Sequence, residues 1–269
     1  MRFTQYYIPT LKENPSESEL KSHALSLRAG LIRKVASGIY TYLPLGLRVL
    51  RKIENIVREE MDRAGAIELL LSVIQPSDLW QKSERWDQYG PEMFRLKDRS
   101  QRDFCLGPTH EELITYLAYL DIKSYKDLPV NLYQIQTKFR DEIRPRYGLL
   151  RAREFIMKDA YSFGKDQKDL DQAYQAMYEA YSKITERLGL EYLVVEADTG
   201  LIGGNFSHEF IILAEQGEEV LILCPSCHYS AKMEEAQFSF PDPGSEAQKD
   251  LKKVHTPGAS TIEELAQQL

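Results

Sequence analysis

The sequence predicts an α+β fold: an antiparallel β-hairpin flanked by amphipathic helices. Three patterns carry that reading. From Asn131 to Glu142 the residues alternate with period two, placing Tyr133, Ile135, Thr137 and Phe139 on one face and Gln134, Gln136, Lys138, Arg140 and Glu142 on the other. Glu154 to Phe163 alternate again, with Phe155, Met157, Asp159, Tyr161 and Phe163 sharing a side. On either side of this pair the apolar residues fall instead at helical spacing, Leu47, Leu50, Ile53, Val57 and Met61 before it and Leu170, Tyr174, Met177, Tyr181, Ile184 and Leu188 after it.

In chain order, Ser16 and Glu19 have capping-box spacing ahead of Leu20, Ala24, Leu27 and Leu31, which predicts an N-terminal helix. Pro44 and Gly46 precede the first striped helix, and Gly65 ends it. The apolar run Ile67 to Ile74, stopped by Pro76, reads as one short buried strand. Thr109-His110-Glu111-Glu112 opens a further helix, and the Thr109 to Glu112 spacing also suits a capping box. The second striped helix ends at Gly189. Two strands are expected near 191–197 and 206–214, flanking a Gly203-Gly204 turn. Pro241-Asp242-Pro243-Gly244 has the texture of a linker, and Thr261 to Leu265 begins another helix.

At 269 residues the chain has room for one large domain with a smaller piece beside it. Its 34 basic and 41 acidic residues leave a net charge of −7, which excludes a polycation that grips nucleic acid by bulk charge. No apolar stretch reaches the roughly 20 residues of a membrane span, and the N-terminus does not read as a signal peptide, so a cytoplasmic protein without a membrane partner is expected. Three cysteines do not make a disulfide framework. The pair Cys224-Pro-Ser-Cys227 has spacing suited to metal or redox chemistry, and with His228 it is half of a possible zinc site, the alternative being a reduced structural pair.

The chemistry concentrates between Lys138 and Phe155. Lys138 to Arg153 hold six basic and two acidic residues, a local excess of +4 in an acidic chain, so an anionic ligand is expected there. Arg140 and Glu142, two apart on an alternating strand, would face one pocket. The guanidinium suits a phosphate and the carboxylate an amino group, while Phe155 across the hairpin offers a flat face to a base. The plainer alternative is a surface ion pair beside a solvated basic loop.

The strand Phe139-Arg140-x-Glu142, the arginine-rich loop and the return strand Arg151-x-Arg153-Glu154-Phe155 resemble the second signature motif of class II aminoacyl-tRNA synthetases. The helix ending at Gly65, with the run up to Pro76, looks like the first motif, the dimerising one. His23 to Arg33, Gly107-Pro108-Thr109-His110-Glu111-Glu112 and Gly203-Gly204-Asn205-Phe206-Ser207-His208-Glu209-Phe210 are similar to bacterial-type prolyl-tRNA synthetases, and the resemblance covers nearly all of residues 1 to about 240.

That resemblance implies a six-stranded antiparallel sheet with flanking helices, a homodimer, and ATP with Mg2+ as cofactors. The implied reaction activates proline as an adenylate and transfers it to tRNA(Pro). By the same resemblance Arg140 and Glu142 are catalytic. ATP is held by Arg140, Glu142, Arg151 and Phe155, and proline by Thr109, Glu111, Arg140, Met157 and His208. Cys224 and Cys227 remain the weak metal candidates. The basic loop from Arg144 to Arg153 is the local candidate for tRNA contact. Gly200-Leu201-Ile202-Gly203-Gly204 has no following arginine, so the family's third motif, Gly-x-Gly-x-x-Arg, is not found. The expected organisation is therefore a catalytic core over 1–222, incomplete at its C-terminal end, and the beginning of an insertion (editing) domain over 223–269. A threonyl- or seryl-type enzyme on the same scaffold, and a non-catalytic paralogue or inactive fragment that binds a partner or tRNA, are the alternatives, and without the third motif the chain alone is expected to turn over poorly.

Overall fold

The computed structural model describes residues 2–16, 18, 20–197, 204, 207–215, 217–227, 229–237, 255–258, 261 and 265–266. Glu19, the Gly203-Gly204 turn as a pair, His228, the Pro241–Gly244 stretch and most of the Thr261–Leu265 helix lie outside the described residues. The chain forms two compact units, 1–219 and 220–269.

In the first unit, α1 (Lys21–Arg28) leads into the antiparallel hairpin of β1 (Ile32–Ala36) and β2 (Ile39–Tyr42). The helix α2 (Pro44–Arg63) follows, with proline in its first turn, where the missing N–H costs nothing. Gly46 packs so closely on the Leu31 carbonyl that a Cβ there would lie 2.1 Å from its oxygen. Next come β3 (Ile67–Glu68), β4 (Ile74–Pro76), α3 (Ser77–Lys82), α4 (Arg85–Gln88), β5 (Arg95–Lys97) and β6 (Asp103–Leu106). After α5 (Glu111–Asp121) the long hairpin is made by β7 (Val130–Phe139) and β8 (Glu154–Phe163). Then α6 (Gln167–Arg187), β9 (Tyr192–Ala197) and β10 (Ser207–Ile212) complete the unit.

The hairpin is antiparallel over ten paired positions, from Val130 opposite Phe163 to Phe139 opposite Glu154. Because side chains directly opposite each other project to one face, the alternation creates two surfaces of different chemistry. Tyr133, Ile135 and Ala160 face a core with Val57, Met61 and Ala66 on the α2 side and Met177 and Tyr181 on α6. The Tyr133 hydroxyl, carried into that core, donates to Asp62 at 2.9 Å. Arg187 at the end of α6 ties the two helices together, pairing with Glu59 at 2.6 Å and the buried Glu60 at 2.5 Å. The opposite face carries Gln134, Gln136, Lys138, Phe155, Met157, Asp159 and Tyr161.

The described sheets are smaller than a single six-stranded one. In the first unit they are the three-stranded sheets β3-β7-β8 and β4-β6-β5 and the pairs β1-β2 and β9-β10, and β3 runs parallel to β7. In the second unit β11 (Leu221–Leu223) and β12 (Ser230–Lys232) form a short antiparallel hairpin.

One expectation is corrected here. Residues 67–74 are not one buried strand: Ile67 and Leu70 are 58% and 73% exposed, and the chain pairs with β7 at 67–68 and with β6 at 74–76. Leu69 N–H still donates to the Tyr133 backbone carbonyl at 2.9 Å, and at Leu71 side chains replace the ladder: its N–H donates to Gln134 Oε1 at 3.0 Å, and its carbonyl accepts from Gln136 Nε2 at 3.1 Å.

Met61 is fully buried between the helices and the hairpin. Met61→Ala is expected to lower unfolding free energy by about 2–5 kcal/mol, read from the midpoint of urea denaturation with an unchanged slope.

Candidate functional site

The site lies at the end of β7, where the loop before α5 crosses the polar face of the hairpin. Phe139 N–H donates to the Gly107 carbonyl at 3.2 Å, and Arg140 Nε to the Pro108 carbonyl at 3.4 Å. Gly107 N–H donates in turn to Val73 at 2.8 Å. Glycine is required at 107 because a Cβ would lie 2.4 Å from Gln75 Nε2 and 3.0 Å from His110 Cε1. Gln75 is fully buried, donates to the Thr109 carbonyl at 2.9 Å, and accepts from Trp80 Nε1 at 2.8 Å.

Thr109 and Glu111 are brought together, with the threonine hydroxyl donating to Glu111 Oε2 at 2.5 Å. The capping box does not form. His110 is the residue that precedes α5, no side chain caps the helix, and the buried Glu112 turns to Arg85 at 2.8 Å and to the Ser83 hydroxyl at 2.9 Å. Arg85 also lies 3.6 Å from Glu111.

Arg140 and Phe155 are brought together as well, with the guanidinium carbon 5.5 Å from the ring centroid. Arg140 N–H bonds the Arg153 carbonyl at 2.9 Å, but β7 has already ended at Phe139. Glu142 therefore does not continue the alternation. Its N–H bonds back to the Arg140 carbonyl at 2.7 Å, and its carboxylate turns across the loop to Arg151 at 3.0 Å. The Arg151 guanidinium holds the Glu142 carboxyl below the usual carboxylate range. Arg151 pairs with Arg146 as an isolated bridge that closes the basic loop, and Glu218 approaches both, at 3.5 Å from Arg146 and 3.9 Å from Arg151. Arg153 is fixed by the Glu142 carbonyl at 3.1 Å and by Asp141 at 3.2 Å.

Met157 sits on the polar face opposite Gln136 and is half-buried. His208, on β10, is directed to α6. Its Nδ1 shares a 2.8 Å hydrogen bond with the Tyr174 hydroxyl, and its ring meets Tyr178 edge-on with centroids 5.7 Å apart. Cys224 and Cys227 lie in the second unit at the turn after β11, where the backbone N–H groups of Cys227 and Ser226 lower the Cys224 thiol pKa. They offer two of the four ligands of a closed zinc site. Among the described residues no group of three or more His, Cys, Asp or Glu is placed to hold a metal.

The sequence reading did not assign the buried group beneath the loop. Lys138 is fully buried, 2.7 Å from Asp159 Oδ1 and 2.8 Å from His110 Nδ1. An ammonium donating to Nδ1 requires the neutral ring with its proton on Nε2, which then donates to the Ser72 carbonyl at 3.1 Å. Burial, and next the Lys138 charge, push the His110 pKa down to about 4. Burial also lowers the Lys138 pKa, against the hydrogen bond that Lys138 donates to Asp159. Asp159 Oδ2 accepts from Gln134 Nε2 at 2.9 Å and from the Tyr161 hydroxyl, which itself receives the His110 N–H at 3.1 Å. The available signal was the alternation itself, which puts Lys138, Asp159 and Tyr161 on one face.

Residues 94–262 match the family described as the tRNA synthetase class II core domain (G, H, P, S and T). The chain belongs to that family, and its α+β architecture is a class II core. Among curated relatives, the proline–tRNA ligase of Acidithiobacillus ferrooxidans is 60% identical over all of this chain and 47% of its own length. That of Trichlorobacter lovleyi is 58% identical over 99% of this chain and 46% of its own length. The chain thus spans about half the length of the curated relatives it matches. A Cryptosporidium parvum prolyl-tRNA synthetase, solved with L-proline and AMP, superposes with a TM-score of 0.64 at 15% identity, over 75% of this chain and 41% of that one. A Giardia lamblia prolyl-tRNA synthetase, solved with prolyl-adenylate, superposes with a TM-score of 0.58 at 22% identity, over 62% of this chain and 35% of that one. Both share the fold.

Two outcomes are expected. Gly107→Ala should lower Tm by an amount equivalent to about 1–3 kcal/mol, because Gln75 and His110 must both shift. For His110 the folded-state pKa of about 4 lies below the ordinary 6.5, so the unfolded chain takes up the proton first. The stability this gives is complete above about pH 6.5 and declines as pH falls toward 4, by a total on the order of 3 kcal/mol. His110→Asn should lack that pH dependence, so the increment should appear as the difference between the wild-type and variant curves of stability against pH.

Proposed function

We propose that this chain is the N-terminal part of a proline–tRNA ligase and carries its ATP- and proline-binding face. The observation that carries this reading is the shared anchorage of two opposite charges. Glu111, with Thr109, and Arg140 are attached to the same Gly107–Pro108 crosspiece, so a carboxylate suited to an amine and a guanidinium suited to a carboxylate or phosphate stand in a fixed relation. A zwitterionic amino acid beside a phosphate has that charge pattern. The identity to proteins named proline–tRNA ligase supports proline as the amino acid.

In this reading Glu111 and Thr109 hold the secondary amine, and Arg140 draws the substrate carboxylate to the α-phosphate. The carboxylate oxygen forms a bond to that phosphorus as the bond to the pyrophosphate oxygen breaks, giving prolyl-adenylate. The terminal adenosine hydroxyl of tRNA(Pro) then takes the prolyl group and AMP leaves. Positive groups fixed where negative charge develops do most of the work. The adenine stacks on Phe155 and is met by Glu142, and Arg151 reaches the outer phosphates. Met157 belongs to the proline side, and His208, which is turned to Tyr174 and Tyr178 on α6, would have to leave that helix to join it.

Mg2+ would supply charge neutralisation at the triphosphate, and among the described residues no group of three or more His, Cys, Asp or Glu is placed to hold it from the protein side. The arginines from Arg144 to Arg153 meet the acceptor end of the tRNA. A homodimer is supported by the exposed apolar side chains of Val49 and Ile53 on α2 and of Ile67, Leu70 and Ile74 in the segment that follows it. The second unit is the beginning of the insertion domain expected over 223–269. A cytoplasmic location fits a chain in which no helix of the described residues is long and apolar enough to cross a membrane.

The test is ATP–pyrophosphate exchange with proline, threonine, serine and alanine in parallel. Exchange is expected with proline alone, reduced roughly 100-fold or more in Arg140→Ala. Exchange with another amino acid would overturn the substrate. Failure to exchange with any of the four would leave the family intact and make this chain an inactive fragment or a binding paralogue.

A further inference from the structure

The buried polar group beneath the Thr109–Glu111 loop has more structure than a single ion pair needs. Four side chains from three segments converge: His110 from the loop, Lys138 from β7, and Asp159 and Tyr161 from β8. Each bond has a direction. Tyr161 accepts the backbone N–H of His110, Lys138 donates to the ring at Nδ1, and the ring donates from Nε2–H to the Ser72 carbonyl. His110 is thus held from above and below, and its chain neighbours on either side are Thr109 and Glu111. On the other flank Gln75 holds the Thr109 carbonyl. The nucleotide-side groups Glu142, Arg151 and Phe155 are not among the bonded partners of this group, although Arg140 lies close enough to act on the Lys138 charge.

We propose that Lys138, His110, Asp159 and Tyr161 form a positioning unit that sets the Thr109–Glu111 loop for the amino-acid substrate, with His110 kept neutral as its keystone. The proposal rests on the reading of Thr109 and Glu111 as the amine-binding pair. Two physical consequences give it content. Without the unit the loop loses bonds at both the His110 backbone and its ring, and a misplaced Glu111 no longer meets the amine. A protonated His110 would also place a cation next to Glu111, where it competes with the substrate's own. The charged and titratable groups around the ring are Lys138, Asp159, Tyr161 and Glu111, with Arg85 beyond Glu111. The Lys138–Asp159 pair has no net charge, so the ring is held neutral without adding charge to the loop.

The experiment uses the full chain and two variants, Lys138→Met and the milder Tyr161→Phe, which removes one hydroxyl. Nitrogen chemical shifts of the His110 ring and hydrogen exchange at the amides of His110 and Glu111 are measured with Kd values for proline and for a non-hydrolysable ATP analogue. Wild type is expected to show the Nε2–H tautomer and protected amides. In Tyr161→Phe the His110 amide should exchange at least about tenfold faster, and proline binding should weaken about tenfold or more with ATP-analogue binding unchanged. In Lys138→Met the ring should lose its single tautomer and titrate closer to its ordinary range. Equal weakening of proline and ATP analogue, or an unaltered tautomer and unaltered exchange in both variants, would overturn the proposal. If wild type binds no proline, the proposed function fails. The ring and amide measurements then decide the positioning unit separately: changes confined to His110 and Glu111 support it, and unaltered spectra overturn it.

Discussion

The Lys138 ammonium is fully buried and has to be neutralised where it stands, and much of the architecture around it follows. Asp159, on the neighbouring strand, supplies the countercharge at 2.7 Å. The pair is correctly opposed only if β7 and β8 keep their register, in which Asp159 lies opposite Gln134 and Phe155 opposite Lys138. A slip by one residue would bring Tyr133 and Ile135 to this face and strand the charge on the other. Around the pair, Gln134 and Tyr161 donate to Asp159 Oδ2, and His110 Nδ1 accepts from Lys138. A buried ion pair of this kind adds little net stability, but it penalises every alternative arrangement heavily.

The hairpin therefore has separate faces for stability and for chemistry. Met61, Tyr133, Met177 and Tyr181 make an ordinary core on one side, so the other is free to hold polar groups at fixed positions. That division explains why a polar face can be carried on a strand pair with so little exposed. The crosspiece at Gly107 and Pro108 then joins the end of β7 to the start of α5 and brings Arg140 and Glu111 into one frame.

Sequence pattern was most informative where one face of an element is apolar. Both long strands and the helices α2 and α6 are visible in the periodicity, because burial against a core selects it directly. The alternation was extended too far at Glu142, since nothing local marks the point where Arg140 bonds Arg153 and the chain turns. Residues 67–74 looked like a buried strand because apolar side chains are not labelled by the surface they cover. Thr109 and Glu112 have cap spacing, but Arg85, distant in sequence, draws Glu112 away. His110 was passed over for the same reason: its partners lie 28 and 38 residues away along the chain, at Lys138 and Ser72.

The side-chain suspension of Leu71 has a consequence for the order of assembly. Leu71 is tied to Gln134 and Gln136 across 63 and 65 residues of sequence, and by bonds that exist only once those glutamines stand on a formed strand. Loop closure of that span brings little reward before the hairpin is in place. Local contacts can build the helix α2 and the β7–β8 hairpin independently. The segment between β3 and β4 can only dock afterwards, so its amides report completion of the fold rather than its initiation.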